Sequence, residues 1–203
     1  MTHPDAIPRE LPRPLAWLDQ NWPFAGTVAA AFLLVVLTLV LRTWPPALGL
    51  VYALLLAYLV HQMEEHYGDR FRRDINATLA GGADALTPRA TTTINVGGVW
   101  GVYALTLILA GLVDGGFGLV AVYTTLVNAL AHVGAAVVER RSNPGLWTAL
   151  GLFGPLAALG WRVVGAASGL GWVGHVLGLG VALLFHAAII RHVRRRARAL
   201  GTR

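Results

Sequence analysis

The sequence predicts an all-α membrane protein, a bundle of about six transmembrane helices with both termini in the cytoplasm. Among its 203 residues, 56% are hydrophobic and 13% are charged, about half the charged fraction of an ordinary soluble domain. The mean hydropathy is +0.60. Six apolar runs follow one another along the chain, and each approaches the roughly 20 residues that cross a bilayer as a helix. This composition excludes disorder, a charged coiled coil and most soluble enzymes.

Short breaks that carry Pro, Gly or Arg separate the six apolar runs. One break holds Pro45, and a later one holds Pro144. An interfacial lead-in rich in Pro and Trp is predicted at residues 1–25, a transmembrane domain at 26–190 and a basic tail at 191–203. The helices predicted within that domain span residues 26–41, 47–66, 94–113, 117–138, 146–164 and 170–190.

All 16 basic residues are arginines, and they are distributed unevenly over the segments between the predicted helices. Only Arg42 and Arg162 fall on the segments of one side. Because arginine-rich loops stay in the cytoplasm, this bias predicts that both termini lie inside. The pI of about 10.7 therefore reflects topology. We expect membrane lipids as partners, with the basic tail on anionic head groups, and no nucleic acid.

The chain contains no cysteine. This excludes disulfides, thiolate zinc sites, thiol nucleophiles and iron–sulfur clusters ligated by cysteine. A metal site in this chain must therefore use imidazole and oxygen ligands. No motif for an organic cofactor is evident.

Ionisable groups inside a membrane are costly and mark candidate functional residues. The densest group ends the second predicted helix, where His61, Glu64 and Glu65 follow an apolar run at 47–60. That run is about 21 Å long as a helix, shorter than the hydrocarbon core of about 30 Å, so the group lies at membrane depth and must face protein. At about 100° per residue, the three side chains share one face. The i, i+4 spacing of His61 and Glu65 is that of helical metal sites.

The fourth predicted helix supplies a second polar face with His132. In the predicted topology, His132 and His61 lie at similar depth above the arginines that follow them. We therefore predict one shared site, with His61, Glu65 and His132 as metal ligands and Glu64 as the catalytic general base. The residues expected to line this site are Asn128, Asn95, His186 and Asn143.

Two motifs in this order and spacing resemble a known family, the bacterial HXXEE-motif membrane proteins. The motifs are His61-x-x-Glu64-Glu65, and Asn128-x-x-x-His132 followed by Asn143-Pro144-Gly145-x-x-Thr148. The resemblance covers about residues 50–165 and implies a bacterial inner (plasma) membrane protein, in a family whose function is not established. Members often carry a carboxylate early in the third helix, where this chain has Asn95. A two-metal site that relies on that carboxylate is therefore not expected.

These residues favour a metal-dependent membrane enzyme with a divalent cation. Zinc, iron and manganese all suit imidazole and carboxylate ligands. A substrate that reaches such a site is a lipid or another apolar molecule, and hydrolysis is the simplest reaction. Oxidation at an iron site and a metal-free isomerisation by the two carboxylates stay open.

Two further classes of function stay open. Carboxylates and histidines within a membrane also form proton relays, so a small proton-coupled transporter is an alternative. The polar cluster could instead fix helix packing in a structural or regulatory membrane protein. In that case His132 is a structural partner of Asn128, and Glu64 and Glu65 form a solvated helix end.

Glycines at small-xxx-small spacing allow helices to approach closely. They fit packing within the chain or a homodimer, and the sequence does not choose between these. The pairs are Gly97 and Gly101, Gly165 and Gly169, and Gly174 and Gly178.

Overall fold

The computed structural model describes residues 13–201, and this part of the chain is helical throughout apart from short connections. Residues 1–12 of the predicted lead-in and 202–203 of the predicted tail lie outside the described residues. The helices are α1 (Arg13–Thr43), α2 (Pro46–His66), α3 (Arg70–Leu79), α4 (Pro88–Leu112), α5 (Gly118–Glu139), α6 (Leu146–Ala166) and α7 (Trp172–Ala199).

Six of the helical segments are long and apolar enough to cross a membrane, which confirms the predicted class of fold. The outward faces of the bundle are apolar. Phe32 and Val35 of α1 are more than 70% exposed, as is Leu184 of α7. Exposed apolar faces of this kind are suited to contact with lipid. The orientation of the termini stays a prediction.

Three helices are longer than predicted by at least five residues, and one was not predicted. α4 begins at Pro88, six residues before its predicted start at 94. α1 begins at Arg13 and continues through Pro23, so the described part of the lead-in is helical. α7 continues through the arginines to Ala199, because arginine is a good helix former once an apolar helix precedes it. α3 is short and polar, and hydropathy alone does not distinguish such a helix from a loop.

α2 is the most deeply buried of the six segments. Leu54, Tyr58 and His61 on this helix are almost completely inaccessible. They lie among side chains of α4, α5 and α6, including Tyr103 and Phe153. A helix that is apolar on all sides belongs in the centre of a bundle, and α2 carries its polar residues into that centre.

Glycines bring α5 and α7 together at one end of the bundle. A Cβ on Gly178 would lie 2.7 Å from the carbonyl oxygen of Leu119, and one on Gly174 would lie 3.1 Å from a methyl of the same residue. This small-xxx-small pair therefore serves packing within the chain. Gly97 and Gly101 have open space around them, and a homodimer through that face stays a prediction.

The other end of the bundle, which we call the arginine-rich end, carries α3, the connection at 80–87 and the last turns of α7. Leu86 and Val193 are buried there in a second apolar cluster. The side chain of Asn76 accepts from the backbone N–H of Leu86 at 2.8 Å and donates to its carbonyl at 3.1 Å. Arg141 forms ion pairs with Asp74 of α3 and Glu139 of α5. These contacts close the arginine-rich end.

Two helices contain a widened, π-helical stretch. The first is Thr93–Trp100 in α4, and the second is Ala149–Phe153 in α6. Such i→i+5 turns are rare and are frequently found at functional sites. Both stretches lie beside the polar end of α2.

Candidate metal centre

Three side chains from α2 and α5 converge at the predicted site. Nε2 of His61 lies 3.6 Å from Oε2 of Glu65, and Nε2 of His132 lies 3.4 Å from Oε1 of the same carboxylate. One ligand atom from each of the three residues lies within 4.8 Å of the other two. Ligands on a tetrahedral zinc, at about 2.0–2.1 Å from the metal, are about 3.3 Å apart. The spacing is therefore close to that of a metal site.

Burial makes this group costly unless a cation or protons neutralise it. His61 is 0% exposed, Glu65 is 4% exposed and His132 is 7% exposed. Nε2 of His61 has no hydrogen-bond partner among the described residues. An isolated carboxylate in such surroundings is strongly disfavoured.

Hydrogen bonding fixes which nitrogen of His61 carries its proton. Its Nδ1 lies 2.7 Å from the hydroxyl oxygen of Thr148. The Thr148 hydroxyl donates its one hydrogen to Oε2 of Glu64 at 2.5 Å, so it accepts from His61. Nδ1 is therefore the N–H donor, and Nε2 presents a lone pair toward Glu65.

His132 is held in the same tautomer by Asn143. The amide nitrogen of Asn143 donates to the carbonyl of His132 at 2.8 Å, which orients the amide group. Its oxygen then faces Nδ1 of His132 at 2.8 Å and accepts that N–H. When His132 is neutral, its lone pair is therefore at Nε2, toward Glu65. Second partners of this kind orient metal-ligating histidines.

Gly145 closes one side of the site. Its φ of +94° is in the left-handed region. A Cβ at this position would lie 2.8 Å from Cε1 of His61 and 2.8 Å from Cε1 of His132. The backbone at 145 therefore approaches both imidazole rings in a way that glycine alone permits.

Glu64 faces the start of α6. Its carboxylate accepts from the backbone N–H of Trp147 at 3.2 Å and from that of Thr148 at 2.7 Å. A carboxylate is well placed at the positive end of a helix. Glu64 does not line the cavity described below, and the Thr148 hydroxyl connects its carboxylate to His61. Its role as general base stays a prediction.

The predicted lining residues have separate positions. Asn143 contacts His132 directly. Asn128 lies one turn before His132 and donates to the hydroxyl of Tyr58 at 3.1 Å. Asn95 accepts from the side chain of Gln62 at 2.9 Å, and Nδ1 of His186 donates to the carbonyl of Ala182 at 2.8 Å. Asn95, Asn128, Asn143 and His186 all line the same cavity.

Two contacts at the site were not predicted from the sequence. Nε2 of His66 lies 3.1 Å from Oε2 of Glu65, although the two residues point about 100° apart around the helix. The ring of Phe153 lies against that of His61, with centroids 4.2 Å apart. Neighbouring positions on α2 could have suggested His66, whereas the contact of Phe153 depends on how α6 packs.

A cavity of about 690 Å³ opens beside the three ligands. Glu65 and His132 line it, whereas His61 does not. Its other walls are mostly apolar and come from α3, α4, α5 and α7. The volume is within the range of about 300–1,000 Å³ that is usual for small-molecule sites, so a substrate could reach the ligands from this side.

Comparison with known proteins yields a family. The family model described as "Protein of unknown function with HXXEE motif" matches residues 52–160, which is more than half of the chain. That range includes all three convergent residues. No curated protein and no solved structure matches the chain.

Proposed function

The chain belongs to the HXXEE-motif family, whose function is unknown, and from its site we propose a metal-dependent membrane enzyme of hydrolase type that acts on a lipid or another apolar ester. The observation that carries the proposal is the tautomer of the two histidines. With both rings neutral, each histidine presents a lone pair at Nε2 toward the carboxylate of Glu65, so three electron-rich groups face one another. A divalent cation would turn this repulsion into three bonds.

The number of protein ligands supports catalysis over a purely structural role for the metal. Catalytic zinc sites keep three protein ligands and one open position, whereas structural sites are closed by four. His61, Glu65 and His132 supply three, and the cavity supplies access. A cation held there would supply Lewis acidity, which would polarise an ester carbonyl and lower the pKa of a water molecule.

The reaction that we propose is ester hydrolysis. The oxygen of water bonds to the carbonyl carbon as the water loses a proton, the bond from that carbon to the alcohol oxygen breaks, and the leaving alkoxide takes up that proton to become the alcohol. The cation would be held by His61, Glu65 and His132. We propose that Glu64 acts through Thr148 to orient His61; its predicted role as general base is the competing assignment.

The metals that we propose are zinc, iron or manganese, and elemental mass spectrometry tests the assignment. The samples are the wild-type chain and the His61→Ala and His132→Ala variants, each purified in detergent as a single species. His175→Ala is the matched control, because His175 is a helix histidine bonded to Tyr123 and away from the site. We expect about one metal per chain in the wild type and control, and loss of metal in both site variants.

The same preparations test the reaction and the alternative functions. Hydrolysis of a long-chain ester in micelles should require metal and be lost on chelation. A well-folded wild type that takes up no metal, even after incubation with each of the three cations, would contradict the enzyme proposal. In that case the polar residues form a packing network or a proton relay, and the packing function predicts that His61→Ala alters stability alone.

A further inference from the structure

The cavity is an elongated space along α7. Its α7 lining extends from Leu179 to Val193, which is about 21 Å of helix. His186 lies at the middle of this length, and Glu65 and His132, which line the same cavity, are near enough to interact with it electrostatically. The metal centre is therefore at the side of a long apolar space, and an extended chain could pass it in both directions.

This space is open toward the lipid-facing surface of the bundle. Leu130 of α5 is 61% exposed, and Leu183 and Ile190 of α7 are 51% and 41% exposed, yet all three line the cavity. Residues that both line a cavity and remain exposed form its rim. An apolar molecule can therefore enter sideways from the membrane between α5 and α7.

A basic surface begins where this rim ends. Ile190 also lines a shallow depression whose other walls include Arg191, Arg194, Arg195 and Arg198. The spacing of these arginines places them on one side of α7, and Arg194 lies within about 40° of Leu183 and Ile190 around the helix axis. None of the four arginines forms an ion pair with a carboxylate of the described residues.

The distance between the basic surface and the metal centre restricts the ligand. From His186, Arg191 is about 7.5 Å along the helix axis and Arg194 about 12 Å. A ligand that reaches both the arginines and the metal centre must carry its negative group several bonds away from the atom that reacts at the metal centre. The acyl ester of a phospholipid lies several bonds from its phosphate, and its chain continues in the opposite direction. The phosphate, the ester and the acyl chain of a phospholipid therefore follow one another in the same order as the arginines, the metal centre and the apolar space.

We propose that the cavity and the four arginines together bind an anionic phospholipid, with the phosphate on the arginines, an ester beside Glu65 and His132, and one acyl chain in the apolar space. Planar guanidinium groups are suited to phosphate. The binding of this lipid stands independently of the metal. Only its identity as the substrate rests on the proposed function.

Native mass spectrometry of the full chain in detergent tests the binding. The probes are phosphatidylglycerol and phosphatidylcholine with identical acyl chains. We expect phosphatidylglycerol to bind more tightly than phosphatidylcholine. The double variant Arg191→Gln with Arg194→Gln should lower the affinity for phosphatidylglycerol by about tenfold or more. Arg42→Gln with Arg162→Gln removes the same charge elsewhere and should have no effect. Equal binding of the two lipids, or equal loss in the two double variants, would overturn the proposal.

A second pair of variants tests the apolar space. Leu183→Trp narrows the rim and should lower the affinity for phosphatidylglycerol several-fold. Leu184→Trp changes a neighbouring lipid-facing residue outside the rim and should leave that affinity unchanged. Glycerol phosphate, which has the anionic group without a chain, should not displace the lipid. If both Trp variants behave alike, or if glycerol phosphate displaces the lipid, the cavity is not part of the binding site and the proposal fails.

The His61→Ala variant separates this inference from the proposed function. It removes a proposed metal ligand that does not line the cavity, and it leaves the arginines and the apolar rim unchanged. Phosphatidylglycerol that still binds to metal-free His61→Ala supports the lipid site on its own. Loss of lipid binding in a well-folded His61→Ala would overturn the claim that binding is independent of the metal.

Discussion

The hydroxyl of Thr148 lies 2.7 Å from Nδ1 of His61 and donates to Glu64. One hydroxyl thus couples a carboxylate of α2 to an imidazole of the same helix across the start of α6. The consequence is chemical as well as structural, because it leaves His61 with a lone pair at Nε2. A buried histidine is made ready for a cation by a residue that would never touch that cation.

Thr148→Val should lower the affinity for metal by about 10- to 100-fold, the usual effect of removing a partner behind a ligating histidine. The side chain keeps its shape but no longer accepts the N–H of His61. Thr148→Ser, which keeps the hydroxyl, should retain most of the affinity. Metal titration with thermal unfolding measures both variants. Equal affinity in the wild type and Thr148→Val would contradict the assigned tautomer.

Glu64→Ala separates the two roles of Glu64, because it removes the oxygen that accepts from Thr148. If Glu64 is a positioning residue, it acts on the metal site through Thr148. The single variant should then have a lower metal affinity, and adding Thr148→Val should lower that affinity no further. As a general base, Glu64 would instead affect turnover while metal affinity stays unchanged. Measuring metal affinity and kcat on the same preparations decides between these roles, and we expect the first result.

Gly145→Ala should disturb the site because its Cβ would lie 2.8 Å from both imidazoles. The left-handed backbone adds a cost of order 1–3 kcal/mol. We expect loss of metal together with a lower unfolding temperature. Gly134→Ala is the control, since open space surrounds that helical position on α5. Full metal content in Gly145→Ala would mean that the backbone at 145 does not constrain the two rings.

Leu86→Ala should destabilise the arginine-rich end by about 2–5 kcal/mol, the usual cost of truncating a buried leucine. Leu86 is 1% exposed and packs with Val193 of α7. Leu112→Ala is the control, because Leu112 is 82% exposed and should change stability by about 0.5 kcal/mol or less. Denaturant unfolding in detergent compares the two. Similar midpoints would show that the connection at 80–87 contributes little stability.

Hydropathy is sufficient to predict the membrane-crossing core, since lipid requires each span to be apolar over a fixed length. α2 and α5 begin and end within one residue of their predicted limits. Hydropathy does not predict structure beyond the apolar runs. The first turns of α1 and the arginine turns of α7 are helical for reasons of local propensity and packing, and α3 follows the fold of its surroundings.

The convergence of His61, Glu65 and His132 was predictable because helix periodicity and depth are both readable from sequence. The role of Gly145 was not, since it depends on a left-handed backbone and on the contact of a connection with two rings. The position of Glu64 depends likewise on where α6 begins. Sequence spacing gives the direction of a side chain, and only packing shows which partner meets it.

The widened turn in α6 separates two residues that contact the same ring. Thr148 bonds to Nδ1 of His61, and Phe153, five positions later, lies against its face. In a regular α-helix, residues five apart point about 140° away from each other, whereas an i→i+5 turn stacks them on one side. Deleting Gly151 should restore the regular helix and withdraw one of these residues from His61. The extra residue in this π-helical turn thus places Thr148 and Phe153 on the same side of α6. Its presence or absence in a relative should show whether that relative can hold His61 in the same way.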